Sequence, residues 1–134
     1  MFIPFKKATL LIPSSPDNLR DVKHLFIILT NPPTSEKQAK VLLVNVSTVY
    51  NNHVFDDACI IEAGEHTFIK RRSFIHYRYA RIEEASMLIK KVKSGEFIAH
   101  ESMSDGLYTK IVNGLFKSKF IATKFQDFYN QYKS

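Results

Sequence analysis

Five histidines, His24, His53, His66, His76 and His100, are the side chains best suited to move protons near neutral pH. No two of them stand four residues apart, and with Cys59 they make neither a C-x2-C nor an H-x3-H spacing. A metal site therefore has no support in the pattern, and no cofactor is expected. His24, His66 and His76 fall in or near expected strands. Each is open to two readings: a general acid or base, or a hydrogen-bonded structural histidine. A second group, Asn45, Ser47 and Thr48, ends an apolar run. Its amide and hydroxyls can contact a phosphate or a base, or make ordinary strand-end hydrogen bonds.

The third group is a basic band. Residues 70–93 hold Lys70, Arg71, Arg72, Arg78, Arg81, Lys90, Lys91 and Lys93 against Glu83 and Glu84. That net +6 equals the charge of the whole 134-residue chain. His76, Tyr77 and Tyr79 are interleaved with the cations, the mixture that lets cations meet phosphates while rings meet bases. The same composition also suits a solvated strand edge protected against aggregation, followed by a normal helix C-terminus. Cys59 sits among apolar residues and reads as a small hydrophobe rather than a nucleophile.

These groups need a scaffold. Residues 9–12 read as a first strand, followed by a loop at 13–18. Residues 22–30 and 41–49 read as two long strands whose near-continuous apolar runs require burial on both faces or a curved barrel wall. Within the second, Val44, Val46 and Thr48 alternate with Asn45, Ser47 and Val49. Residues 58–61, 67–69 and 73–81 add shorter strands. The last would place Phe74, His76, Arg78 and Ala80 on one face and Ile75, Tyr77, Tyr79 and Arg81 on the other. The period then changes. Ala85, Leu88, Ile89 and Val92 predict a helix over 83–93, with Glu83 and Glu84 in its first turn and a stop at Ser94-Gly95. Ser104 is expected to cap a helix carrying Leu107, Ile111, Val112 and Leu115. Thr123 is expected to cap another, carrying Phe125, Phe128, Tyr129 and Tyr132. That last stripe either packs on the barrel, as amphipathic helices normally do, or docks on a partner.

The expected class is α+β in a single domain: a small, partly open barrel of five or six short strands over 1–82, with a helical tail over 83–134 packed on it. A hydrophobic fraction of 45% is enough for a core, and a pI near 9.4 favours polyanionic partners. The single cysteine excludes an intramolecular disulfide, the N-terminus lacks a signal-peptide layout, and residues 8–13 are too short an apolar run for a membrane span. A cytoplasmic protein without membrane association is expected. Only four glycines occur, and no P-loop, G-x-G-x-x-G, G-x-S-x-G or H-E-x-x-H is present.

Three stretches, residues 23–30, 41–48 and 69–82, carry a resemblance to the PemK/MazF family of toxin endoribonucleases, small SH3-like barrels. It rests on strand order and a small hydroxyl pair, and covers about half the chain. His24 and Leu25 stand where that family has an arginine and a proline. The resemblance implies metal-free cleavage of single-stranded RNA. In that scheme His24, beside Lys23, acts as base or acid, Thr48 with Ser47 binds the scissile phosphate, and Arg78 or Arg81 stabilises its charge. His66 or His76 takes the second proton-transfer role. It also implies a homodimer and an antitoxin protein as partner. The RNA-contacting set would be Lys23, Lys70, Arg71, Arg72, His76, Tyr77 and Arg81. The alternatives are a barrel that binds nucleic acid or protein without catalysis, which the missing arginine-proline pair favours, and a protein-interaction module built on the last helix.

Overall fold

A computed structural model describes residues 1–13 and 23–133. Most of the expected loop at 13–18, and Val22 at the head of the second strand, lie outside the described residues. The two long apolar runs form β2 (Lys23–Ile28) and β3 (Lys40–Thr48), which pair antiparallel with Phe26 opposite Asn45 and Ile28 opposite Leu43. β1 (Thr9–Pro13) pairs with the other edge of β2. Two strands share the far edge of β3: β5 (Ser73–Ile75) along Val46–Thr48 and β6 (Arg81–Glu84) along Lys40–Leu43. The short β4 (Ile60–Ile61) borders β5, and β7 (Ile98–His100) borders β1. Among the described residues the result is a seven-stranded antiparallel sheet that does not close, combined with helices in the α+β class that the sequence implies.

Both faces of this sheet are covered, which is why β2 and β3 read as unbroken apolar runs. Successive strand residues point to opposite faces. Leu25, Ile27, Leu42, Val44 and Val46 meet α2 (Asp105–Lys117) and α3 (Thr123–Tyr132) through Leu107, Ile111, Leu115 and Phe125. Phe26, Ile28, Val41 and Leu43 meet α1 (Ala85–Lys93) through Leu88. The α3 stripe therefore packs internally, with Phe128 and Tyr129 against the same core. Ser104 caps α2 as expected, its Oγ accepting from the Leu107 N–H at 3.2 Å. Gly95, at φ +82°, takes the left-handed position that ends α1.

Five expectations are corrected. Residues 73–81 are not one strand. After β5 the chain makes a 3-10 turn (Tyr77–Tyr79) and then resumes pairing as β6. Glu83 and Glu84 belong to β6, opposite Val41 and Lys40, so α1 starts at Ala85 with no acid in its first turn. Residues 67–69 form no strand, because His66 folds them into a loop described below. The tail is not purely helical: β7 covers the β1 edge, which otherwise would expose unpaired backbone groups. Thr123 also opens α3 rather than capping it, Ala122 being the N-cap.

Tyr77 is the sixth correction. The 3-10 turn sends it inward, where it is fully buried and its hydroxyl donates to the Ile111 carbonyl at 2.6 Å. Gly114 makes this possible: a Cβ there would clash with the Tyr77 hydroxyl and lie 2.9 Å from Cys59 Cβ. Tyr77 is a core residue and offers no surface to a nucleic acid.

Candidate functional site

α1 is only nine residues long, and it covers β3 as far as Leu43. On the same face, the next residues toward the C-terminal end of β3 are Asn45 and Ser47, and a groove opens there. It has two cavities that share His24, Ser47 and His76. The first, of about 580 Å³, adds Lys23, Thr48, Tyr50, His53, Lys70 and Arg71. The second, of about 650 Å³, adds Phe26, Asn45, Arg78, Tyr79 and Arg81.

The register explains why these residues converge. The His76 N–H donates to the Asn45 carbonyl at 2.9 Å, which extends the β3–β5 ladder by one step and sets the two side chains on one face. His24 lies two residues before Phe26 on β2, the partner of Asn45, and so shares that face. Burial pulls both imidazoles below their usual value of 6.5. For His76 desolvation is the largest cause; Asp56 opposes it, and His24 and Arg78 add to it. His76 also belongs to a run of rings, 5.2 Å from Phe74 and 4.4 Å from Tyr79, with Phe55 5.1 Å beyond Phe74.

The structure brings together His24, Ser47, Thr48, His76, Arg78, Arg81, Lys23, Lys70 and Arg71. It leaves Arg72 out: that side chain pairs with Glu62 at 3.3 Å and lines neither cavity. Lys90, Lys91 and Lys93, on α1, line neither cavity. Arg71 lies 5.9 Å from the Tyr50 ring, while Arg81 pairs with Glu83 at 3.3 Å and covers the Phe26 ring at 5.3 Å.

His66 is elsewhere. It is buried, its Nδ1 accepts from the Phe68 N–H at 3.0 Å, and its Nε2 therefore donates to the Glu101 carbonyl at 2.6 Å. With both nitrogens engaged it has no atom for proton transfer to a substrate. Its task is to clamp the loop whose Phe68 and Lys70 form a wall of the first cavity. Cys59 is buried, and desolvation pushes its thiol up to about 11, as a structural cysteine requires.

Sequence reasoning gave His53 no place in the site and set Tyr79 on the wrong face. His53 lines the first cavity from a loop, where no periodicity marks it. Tyr79 was placed opposite His76 by strict alternation, which the 3-10 turn breaks. Among the described residues no three His, Cys, Asp or Glu side chains converge as metal ligands would. Nor is any helix among them long and apolar enough to cross a membrane. Comparison of the chain with protein-family models, with curated proteins and with solved structures finds no match.

Proposed function

We propose that the groove binds single-stranded RNA and cleaves it without a metal, making the chain a cytoplasmic, toxin-like endoribonuclease. One observation carries this reading: two half-buried imidazoles, His24 and His76, flank the Ser47 hydroxyl in one groove, with cations on both sides. The ribose 2′-oxygen forms a bond to the adjacent phosphorus as the bond to the 5′-oxygen of the next nucleotide breaks. His24 takes the 2′-proton, and His76 returns a proton to the leaving oxygen. Ser47 and Thr48 hydrogen-bond the phosphate. Arg78 offsets the charge that builds on its oxygens, aided by the cations of the first cavity. In the same reading the chain works as a homodimer restrained by an antitoxin protein.

The test is cleavage of end-labelled single-stranded RNA in EDTA by the wild type and by the His24→Ala and Thr48→Ala variants. Discrete fragments from the wild type, reduced about 10²–10⁴-fold by His24→Ala, are the expected result. Unchanged cleavage by both variants refutes the assignment. A salt-sensitive gel shift without cleavage would support the other reading, a binding module, for which the ring run beside the cations is already suited.

A further inference from the structure

Each cavity of the groove carries one exposed tyrosine. Between its pairings with β6 and β5, β3 has two residues, Val44 and Asn45; the opposing chain has five, 76–80. The surplus forms the 3-10 turn. Tyr77 enters the core from that turn, while Tyr79 stays 60% exposed and lines the second cavity. Tyr50 follows the end of β3 by two residues, is 55% exposed and lines the first cavity. Neither ring lines the other's cavity. Each has a cation or an imidazole at its side. His76 lies 4.4 Å from the Tyr79 ring at an interplanar angle of 33°, and Arg71 lies 5.9 Å from the Tyr50 ring. The spacing along β3 keeps the rings apart. Asn45 lines the second cavity and Thr48 the first, and at about 3.3 Å per residue they stand roughly 10 Å apart on the strand. Neighbouring bases in a stacked helical strand are only about 3.4 Å apart. A chain that lays one base on each ring must therefore open its stack between them. The phosphate that links those bases then lies where the cavities meet, at His24, Ser47 and His76.

We propose that Tyr50 and Tyr79 are base-stacking platforms on either side of the reacting phosphate, so that the substrate is single-stranded RNA with two neighbouring bases splayed apart. Among the described residues Lys23, Lys70, Arg71 and Arg78 make no ion pair with an acidic side chain, which leaves their charge for phosphates. Every base has a π-face, so the rings take unpaired bases as a class and select no single one. A duplex, whose bases stay stacked and paired, is refused. Protonation of His76 leaves its contact with Tyr79 intact, because an imidazolium over a ring face is also attracted to it. The platforms rest on the RNA reading given above, and they add to it the state of the substrate at the cut.

The experiment is NMR titration of the full chain, in EDTA, with the dinucleotide ApA lacking the 2′-hydroxyl at its linking ribose. The rings do not read the sugar, so this analogue binds but cannot be cut. Its two abasic forms, each missing one adenine, are titrated beside it. Each abasic form should bind about 5–150-fold more weakly than the parent. Tyr50→Ala and Tyr79→Ala should each weaken the parent by a similar factor. Each should also leave one abasic form bound as by the wild type, and a different one for each variant. Tyr50→Phe and Tyr79→Phe should keep the parent's affinity within about twofold, because the ring and not the hydroxyl stacks. Unchanged affinity in the two alanine variants overturns the platforms, and so does a loss in the phenylalanine variants as large as in the alanine ones. Both alanine variants sparing the same abasic form would likewise overturn the two-sided arrangement. Cleavage of an RNA octanucleotide separates this result from the ribonuclease reading. A wild type that binds the analogue through both rings yet leaves RNA uncut supports the platforms and removes that reading. One that cuts RNA with kcat and KM unchanged in both alanine variants does the reverse.

Discussion

The His66 clamp and the His76 groove use the same side chain to opposite ends. At His66 every polar group is matched: both ring nitrogens are bonded, and the Glu101 carbonyl accepts from Thr9 Oγ1 at 2.6 Å as well as from His66. Thr67 Oγ1 donates to the Glu101 carboxylate at 2.8 Å in the same cluster. At His76, Nδ1 and the neighbouring Asn45 Oδ1 lack partners among the described residues although both are buried. A matched buried histidine holds β1, β7 and the loop at 62–69 together. An unmatched one beside a cavity stores the capacity to bind.

Removing either groove imidazole should have the largest effect, and it should fall on activity. His24→Ala and His76→Ala are each expected to slow RNA cleavage about 10²–10⁴-fold while urea unfolding midpoints stay near wild type. The pH profile sharpens this. One imidazole must be neutral and the other protonated, and both are pulled below 6.5, so the optimum of kcat/KM should fall on the acid side of pH 6.5. An optimum above pH 7 would sink the assignment of these two groups.

The reverse should hold at the clamp. His66→Ala strands the Phe68 N–H and takes one of two donors from the Glu101 carbonyl, and should cost about 2–3 kcal/mol in urea unfolding. A stability loss larger for His76→Ala than for His66→Ala would break the comparison. Between the two faces of the sheet the contrast is smaller. Gly114→Ala forces α2 away from Tyr77 and should cost about 1–3 kcal/mol. Tyr79→Ala, at an exposed position, should stay within about 0.5 kcal/mol.

The smallest effect is on stability against pH. His24 and His76 hold protons less readily folded than unfolded, so the unfolded chain binds more protons near their titration. Their contribution is fully present above pH 6.5, and it declines as pH falls through 6.5 toward the folded values. Thermal midpoints of the wild type should therefore drop over that window more steeply than those of a His24→Ala/His76→Ala double variant. Parallel curves would show that neither histidine is desolvated.

Much of the scaffold was legible in the residues. The apolar runs at 22–30 and 41–49 announced strands buried on both faces or a curved barrel wall, and the period of Leu107, Ile111, Val112 and Leu115 announced α2. The break at Tyr77–Tyr79 was not legible, because alternation continues through it in the sequence. Only the pairing of β6 with the start of β3, set by Lys40 opposite Glu84, requires the surplus residues to leave the ladder. β7 was hidden for a related reason: three residues carry too little pattern to announce a strand, and its pairing depends on the free edge of β1.

Of the candidate site, His24, Ser47, Thr48 and the cations were visible by type. Which of them share a groove was not, since that depends on partners far apart in the chain. Composition and period by themselves determined an α+β chain with a basic surface and a buried central pair of strands, because burial demands apolar residues at fixed intervals. Tertiary structure alone decided that Tyr77 is core, that Arg72 is paired away, that His66 is a clamp and that His76 meets Asn45. Those outcomes depend on strand register and on which polar atoms find partners, and neither quantity is local to the chain.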